Sequence, residues 1–230
     1  MAEGRALRVL CAGAVKAPFS TAAARFEQAT GTPVTCSFGA VGSLRERLAS
    51  GEPADLVVLS KPVLETLRRQ GLVREDHSLG CVGVGLAVRT GCTLPDVSSP
   101  ELLRETLLRA DSLAYGDPQH GDSSGMHFAS VLEKLGIAAA MRGRTQLAES
   151  GLQVVDWVAT GRVAMGATPS SVIRSSAHVT LAAMLPPSLQ NQTEYVCALL
   201  DPAATGLMAY VQQPESRRLF ADAGLLPAPA

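Results

Sequence analysis

The sequence predicts an α/β protein of two Rossmann-like lobes joined by crossing hinge strands, and three observations carry that prediction. Short apolar runs bounded by glycine or proline alternate with segments whose apolar residues recur at helical spacing, the signature of βα units around a parallel sheet. The alternation pauses at a long glycine-rich run, Cys81-Val-Gly-Val-Gly-Leu-Ala-Val88, and then resumes. Small and hydroxyl residues gather where an apolar run gives way to a helix. We therefore expect lobe I over residues 1–80 plus 196–230, lobe II over 81–195, and a ligand cleft between the lobes.

The elements follow in order. Leu7 to Gly13 reads as a strand, followed by a helical segment to about Thr30 that is closed by Gly31 and stopped by Pro33. Val34 to Phe38 is the next strand, Gly39 to Ser43 a loop, and Leu44 to Ser50 a helix. Asp55 to Ser60 is a strand, and Pro62 sits in the first turn of a helix ending near Gly71. After the strand at Cys81 to Val88, the second lobe holds helix Pro100 to Arg109, strand Leu113 to Tyr115, helix Met126 to Leu135 and helix Leu152 to Thr160. Strand Val163 to Ala167, a short helix beyond Ser171 and strand Val179 to Leu185 complete it. Thr193 to Leu200 carries the chain back, two amphipathic helices follow at Ala203 to Gln212 and Pro214 to Ala223, and the Pro/Ala tail is expected to fray.

With 47% hydrophobic and 18% charged residues, 230 residues are ample for a globular core. A net charge of -1 leaves no basic footprint, which excludes nucleic acid and an anionic membrane surface as expected partners. The five cysteines, at 11, 36, 81, 92 and 197, fall mostly in apolar runs with no metal-type pair, so we read them as buried, reduced thiols. Met1 to Ala6 leads straight into a strand with no signal-peptide h-region, and no apolar run is long enough to span a bilayer. We expect a cytoplasmic protein, or a periplasmic one if a leader has been trimmed.

Chemistry is concentrated on the loop Gly116 to Phe128 between a strand and a helix. Asp122, Ser123 or Ser124 can cap that helix, leaving first-turn N–H groups to face an anion. Three other strand-to-helix loops share this character, at residues 13–16, 39–43 and 168–171. Together with Gly151 they give the expected ligand-binding set: Ala14, Val15, Lys16, Ala40, Val41, Gly42, Ser123, Ser124, Gly125, Gly151, Thr168 and Ser170. Such loops suit an oxyanion or carboxylate, and Lys16 or Arg174 would add charge. His120, Asp122 and His127 are close in sequence but fit no metal-ligand spacing, so we expect neither a metal nor a cofactor. Gly121-Asp-Ser-Ser-Gly125 matches the G-x-S-x-G elbow, with Asp156 and His178 in hydrolase order, yet the residues between strand and Ser123 are too many for a tight elbow. A serine hydrolase using Ser123 is the remote alternative. Gly83-Val-Gly85 lies within a strand and lacks the third glycine of a dinucleotide loop.

Several segments together resemble the type II periplasmic solute-binding proteins, specifically their molybdate-binding branch. They are Leu7 to Ala14, Phe26-Glu-x-x-x-Gly31-x-x-Val34, Ser37 to Leu44, Gly51-x-Pro53-Ala-Asp55-Leu, Gly116-Asp117-Pro118, Leu132 to Gly136 and Leu219-Phe-x-x-x-Gly224. The resemblance spans nearly the whole chain and implies two α/β lobes closing on a ligand. In the molybdate binders a serine matches Ala14, another matches Val41, and a tyrosine matches Pro169, so three oxyanion donors are absent here. The loop at 119–124 is also longer by about two residues and carries His120 and Asp122. The same branch includes enzymes of the aconitate isomerase type, which move a proton between carbons of a tricarboxylate. The resemblance thus implies a small organic anion as ligand and proton-transfer isomerisation as activity, with His120, His127 and Asp122 as catalytic candidates. Its other implication is a binding component for an ABC permease, if the protein is exported.

Overall fold

In a computed structural model, residues 5–228 are described. They divide into two compact units, Met1–Cys81 with Glu194–Ala230 and Val82–Thr193. Met1 to Gly4, from which the N-terminal expectation was drawn, and the tail residues Pro229 and Ala230 lie outside the described residues.

Unit 1 begins with β1 (Leu7–Ala12), a 3-10 turn (Gly13–Val15) and α1 (Lys16–Thr30). It continues with β2 (Val34–Gly39), α2 (Val41–Ala49), β3 (Leu56–Ser60) and α3 (Lys61–Arg69). The three βα units give a parallel arrangement, with Cys11 of β1 opposite Phe38 of β2 and Val58 of β3. Pro18 is tolerated inside α1 because it lies in the first turn, where a missing N–H costs no intrahelical bond. Gly31, at φ 71°, ends α1 in the left-handed conformation that a side chain would resist.

The strand β4 (Glu75–Arg89) contains the first boundary between the units. It starts six residues before the expected Cys81, because the added stretch is polar and half-exposed and carries no apolar pattern. Unit 2 then comprises α4 (Pro100–Arg109), β5 (Leu113–Gly116), α5 (Ser123–Lys134), α6 (Ala138–Met141) and β6 (Thr145–Ala148). It ends with α7 (Gly151–Ala159), β7 (Met165–Pro169), α8 (Ser170–Arg174) and β8 (Val179–Met184). Its strands run in the order β8-β4-β7-β5-β6, with β5 parallel to both β6 and β7 and β4 antiparallel to β7 and β8. Leu103, Leu107, Leu113, Phe128, Val131 and Met141 fill its core, and the Tyr115 and Phe128 rings meet at 5.4 Å.

The strand β9 (Gln192–Leu199) holds the second boundary and pairs antiparallel with β3, Cys197 facing Val58. A 3-10 turn (Pro202–Ala204) capped by Asp201 precedes α9 (Thr205–Val211), so the single helix expected from Ala203 is two pieces. Then α10 (Pro214–Asp222) follows; α9 and α10 both pack on α1, with Phe26 and Tyr210 edge to face at 5.7 Å.

Other departures from expectation have local causes. Both α2 and α5 begin three residues earlier than predicted, so Val41, Gly42 and Ser43, and Ser123, Ser124 and Gly125, form first turns and not loops. The small residues that read as loop are what allow those turns to lie close to the sheet. Gly83 and Gly85 sit in β4 beneath the Met184 and Leu181 side chains, which explains their size without a nucleotide. β7 is shifted two residues, in register with Leu113 of β5, while Val163 lies before it. β6, a four-residue strand at the edge of the unit, and one-turn α6 are too short to show a period. The cysteines are all free; Cys11, Cys81 and Cys197 are buried, but Cys36 is half-buried and Cys92 exposed, contrary to a uniformly buried set.

Candidate functional site

In unit 2 the parallel strands β6, β5 and β7 end together: Gly116 pairs with Ala148, and Tyr115 with Ala167. Asp117 N–H donates to the Ala148 carbonyl at 2.7 Å, tying the start of the loop to the end of β6. The N-termini of α5, α7 and α8 therefore open from one sheet edge. None of the three has an acidic residue in its first turn, but the Asp122 carboxylate already caps α5, so the positive end most open to an external anion is that of α7.

Asp122 is the N-cap of α5. Its Oδ1 accepts from Ser124 Oγ at 2.6 Å and from Gly125 N–H at 2.7 Å, and the side chain is buried. The expected capping role is thus realised through Oδ1. Gly116 and Gly125 make the close approach feasible: a Cβ on Gly125 would run into the Gly116 carbonyl oxygen, and one on Gly116 into Asp122. Ser123 is the first residue of α5, and Ser124, Thr168, Ser170 and Ser171 are buried polar side chains around the same edge. Ser150 caps α7 by accepting from Gln153 N–H, and Gly151 begins the helix.

The histidines part company. His120 lies on the 3-10 turn Pro118–His120 with its side chain 55% exposed and its Nε2 3.9 Å from Asp117 Oδ2. His127 is half-buried in α5, and its Nε2 is 2.7 Å from the Leu189 carbonyl, which makes that nitrogen a donor and leaves Nδ1 as the nitrogen able to take a proton. Asp117, which the sequence reading passed over, is the carboxylate nearest His120 and also accepts from Gln119 N–H at 2.9 Å. Burial raises the pKa of the Tyr115 phenol beside it, and the Asp117 and Glu133 carboxylates push it in the same direction.

Unit 1 repeats the arrangement at the ends of β2, β1 and β3, where Ala12 pairs with Gly39. Ala40 caps α2 and Ser60 caps α3 with no side-chain bond, and α1, α2 and α3 have no acid in their first turns. Ala14, Val15, Ala40, Val41 and Gly42 are buried here and bring no side-chain donor. Lys16 opens α1, exposed, with Nζ 5.5 Å from the Phe38 ring centroid. Lys61 opens α3 and meets Glu194 Oε2 at 2.8 Å; that hydrogen bond, with the carboxylate's charge, raises the lysine pKa. The start of α3 belongs with the other helix starts, and its signal, Ser60 before Lys61-Pro62, was visible as a helix start only.

The hydrolase arrangement is not formed. Ser123 follows the carboxyl end of β5, whereas His178 is exposed and precedes Val179, which pairs with Arg89 at the opposite edge of the unit 2 sheet. Arg174 lies exposed in the last turn of α8, away from that helix's N-terminus. Among the described residues no three His, Cys, Asp or Glu side chains are grouped to hold a metal, and no helix is long and apolar enough to cross a membrane.

Residues 7–226 match the family described as bacterial extracellular solute-binding protein. The chain belongs to that family. Among curated relatives of this solute-binding protein, an aconitate isomerase from a Pseudomonas species is 27% identical, covering 97% of this chain and 88% of that one. The molybdate-binding protein ModA of Escherichia coli is 23% identical, covering 95% and 87%. Among solved structures, the periplasmic molybdate-binding protein of Azotobacter vinelandii superposes with a TM-score of 0.79 at 17% identity, covering 97% of this chain and all (100%) of that one. The fold is that of the type II periplasmic binding proteins.

Proposed function

We propose that this solute-binding protein binds a small di- or tricarboxylate and moves a proton on it, as an isomerase of the aconitate isomerase type. The observation that carries the reading is the exposed imidazole of His120, beside Asp117, on the loop that leads into the first turn of α5. A plain receptor needs donors there; an imidazole adds a group that can take a proton and return it. Ala14, Val41 and Pro169 bring no hydroxyl, which suits a flexible carboxylate held by N–H groups better than a hydroxyl-caged molybdate. The similarity to an aconitate isomerase over 97% of the chain supports the same class.

In this mechanism the N–H groups of Ser123 and Ser124 on α5, and of Gly151 and Leu152 on α7, hold carboxylates, with Ser170 at the start of α8 beside them. Neutral His120 takes a proton from the methylene next to the double bond. The electron pair delocalises over the three-carbon unit into the flanking carboxylate, and the imidazolium returns the proton to the other end, shifting the double bond. No cofactor is required. Incubation with cis- and trans-aconitate in D2O, followed by NMR, is expected to show interconversion with deuterium uptake, and His120→Ala is expected to abolish both while still binding. Tight binding with no turnover by the wild type would remove the isomerase.

The second reading is the substrate-binding component of an ABC transporter for an oxyanion or carboxylate, favoured by the TM-score of 0.79 to a molybdate-binding protein. It places the chain outside the cytoplasm, with a permease as partner, whereas the isomerase reading is compatible with the cytoplasm.

A further inference from the structure

Thr168 is the next-to-last residue of β7 and is wholly buried, yet its Oγ1 has no hydrogen-bond partner. A buried hydroxyl without a partner is costly, and a valine would fill the same shape without that cost. The hydroxyl points at the start of α7: a Cβ added to Gly151 would collide with Thr168 Oγ1 and lie 3.3 Å from Pro169 Cδ. Gly151 is thus the residue that lets a polar atom reach the helix's first turn. The nine-residue α7 has no acid in that turn, and its cap takes only Gln153 N–H, at 3.4 Å.

We propose that Thr168 is a specificity-determining residue whose hydroxyl donates to an oxygen of an anionic ligand held at the N-terminus of α7. The first-turn N–H groups supply fixed donors, and Oγ1, which can both accept and donate, fills the gap between them and the ligand. A small adjustment of the turn on binding exposes the hydroxyl to that oxygen. The proposal rests on the anion-binding reading above but not on carboxylate as the anion, because carboxylate and inorganic oxyanion oxygens would be read alike.

The test compares wild type, Thr168→Val and Thr168→Ser by calorimetric titration and thermal unfolding with trans-aconitate, citrate, sulfate and molybdate. The valine variant is expected to unfold, without ligand, at the wild-type temperature or above it. Its affinity for whichever anion the wild type binds is expected to fall about tenfold, the loss of one hydrogen bond to a charged group, and the serine variant is expected to retain it. A wild-type preference for molybdate, with Thr168→Val still weakened, would overturn the carboxylate reading and leave this one standing. Equal affinity of wild type and Thr168→Val for a carboxylate would do the reverse. A less stable ligand-free valine variant would show that the hydroxyl is already satisfied, and binding of none of the four anions by wild type would overturn both.

Discussion

At Asp55, burial and hydrogen bonding act on one carboxyl group in opposite directions. Burial alone would raise its pKa, but Arg5 donates through both terminal nitrogens at 2.9 and 2.8 Å, and Arg8 N–H donates at 2.7 Å. These donors and the arginine charge outweigh burial, and the pKa ends below the ordinary value. A folded-state pKa below the unfolded one, about 3.9, means that the stabilisation is fully present above that pH and is lost as pH falls through the folded value. Asp55→Asn is therefore expected to be less stable than wild type at neutral pH, with the difference shrinking in strong acid. Urea midpoints measured at about pH 7 and about pH 3 decide it; a constant difference would mean that the charge contributes nothing.

The first turn of α5 shows how an element can contradict its residue preferences. By helix propensity alone, Gly125→Ala would gain about 1 kcal/mol. The added methyl would meet the Gly116 carbonyl oxygen, a backbone atom held by β5, and the turn would have to lift from the strand that it caps. The substitution is expected to lose stability by about 1–3 kcal/mol, as overpacking does, and to weaken anion binding at the displaced N–H groups. Chemical denaturation and titration of the same variant check both parts. A stabilised Gly125→Ala would show that this turn is not pressed against β5.

For the whole molecule, each unit has its own buried core and its own edge of helix N-termini, and the chain passes from one to the other within β4 and β9. A ligand that binds only folded protein stabilises it by mass action, about 2.7 kcal/mol at one hundred times its dissociation constant. Trans-aconitate or citrate is expected to raise the melting temperature on this scale, and molybdate to raise it less, because Ala14 and Val41 bring no hydroxyl to the edge of unit 1. Differential scanning fluorimetry with matched anion concentrations measures it. A larger shift with molybdate would favour the transport reading.

The sequence by itself determined the alternation of strands and helices, the parallel βα units, the family, and the helix starts that carry small residues. All of these depend on local signals: apolar periodicity, Gly31 after a helix, Pro62 in a first turn, Asp122 before one. Tertiary structure alone decided which of those residues face one another. Asp122 was one of three residues eligible to cap the helix, and the proximity of Ser124 and Gly125 to its Oδ1 made it the cap. His127 was free in either tautomer until the Leu189 carbonyl, 62 positions away, engaged its Nε2 proton and left only Nδ1 to act as a base. Thr168 and Gly151 meet across β7 and α7, which no local pattern encodes. Hydrogen-bond commitments and close approaches are set by strand register and helix packing, and these bring together residues whose separation along the chain carries no signal.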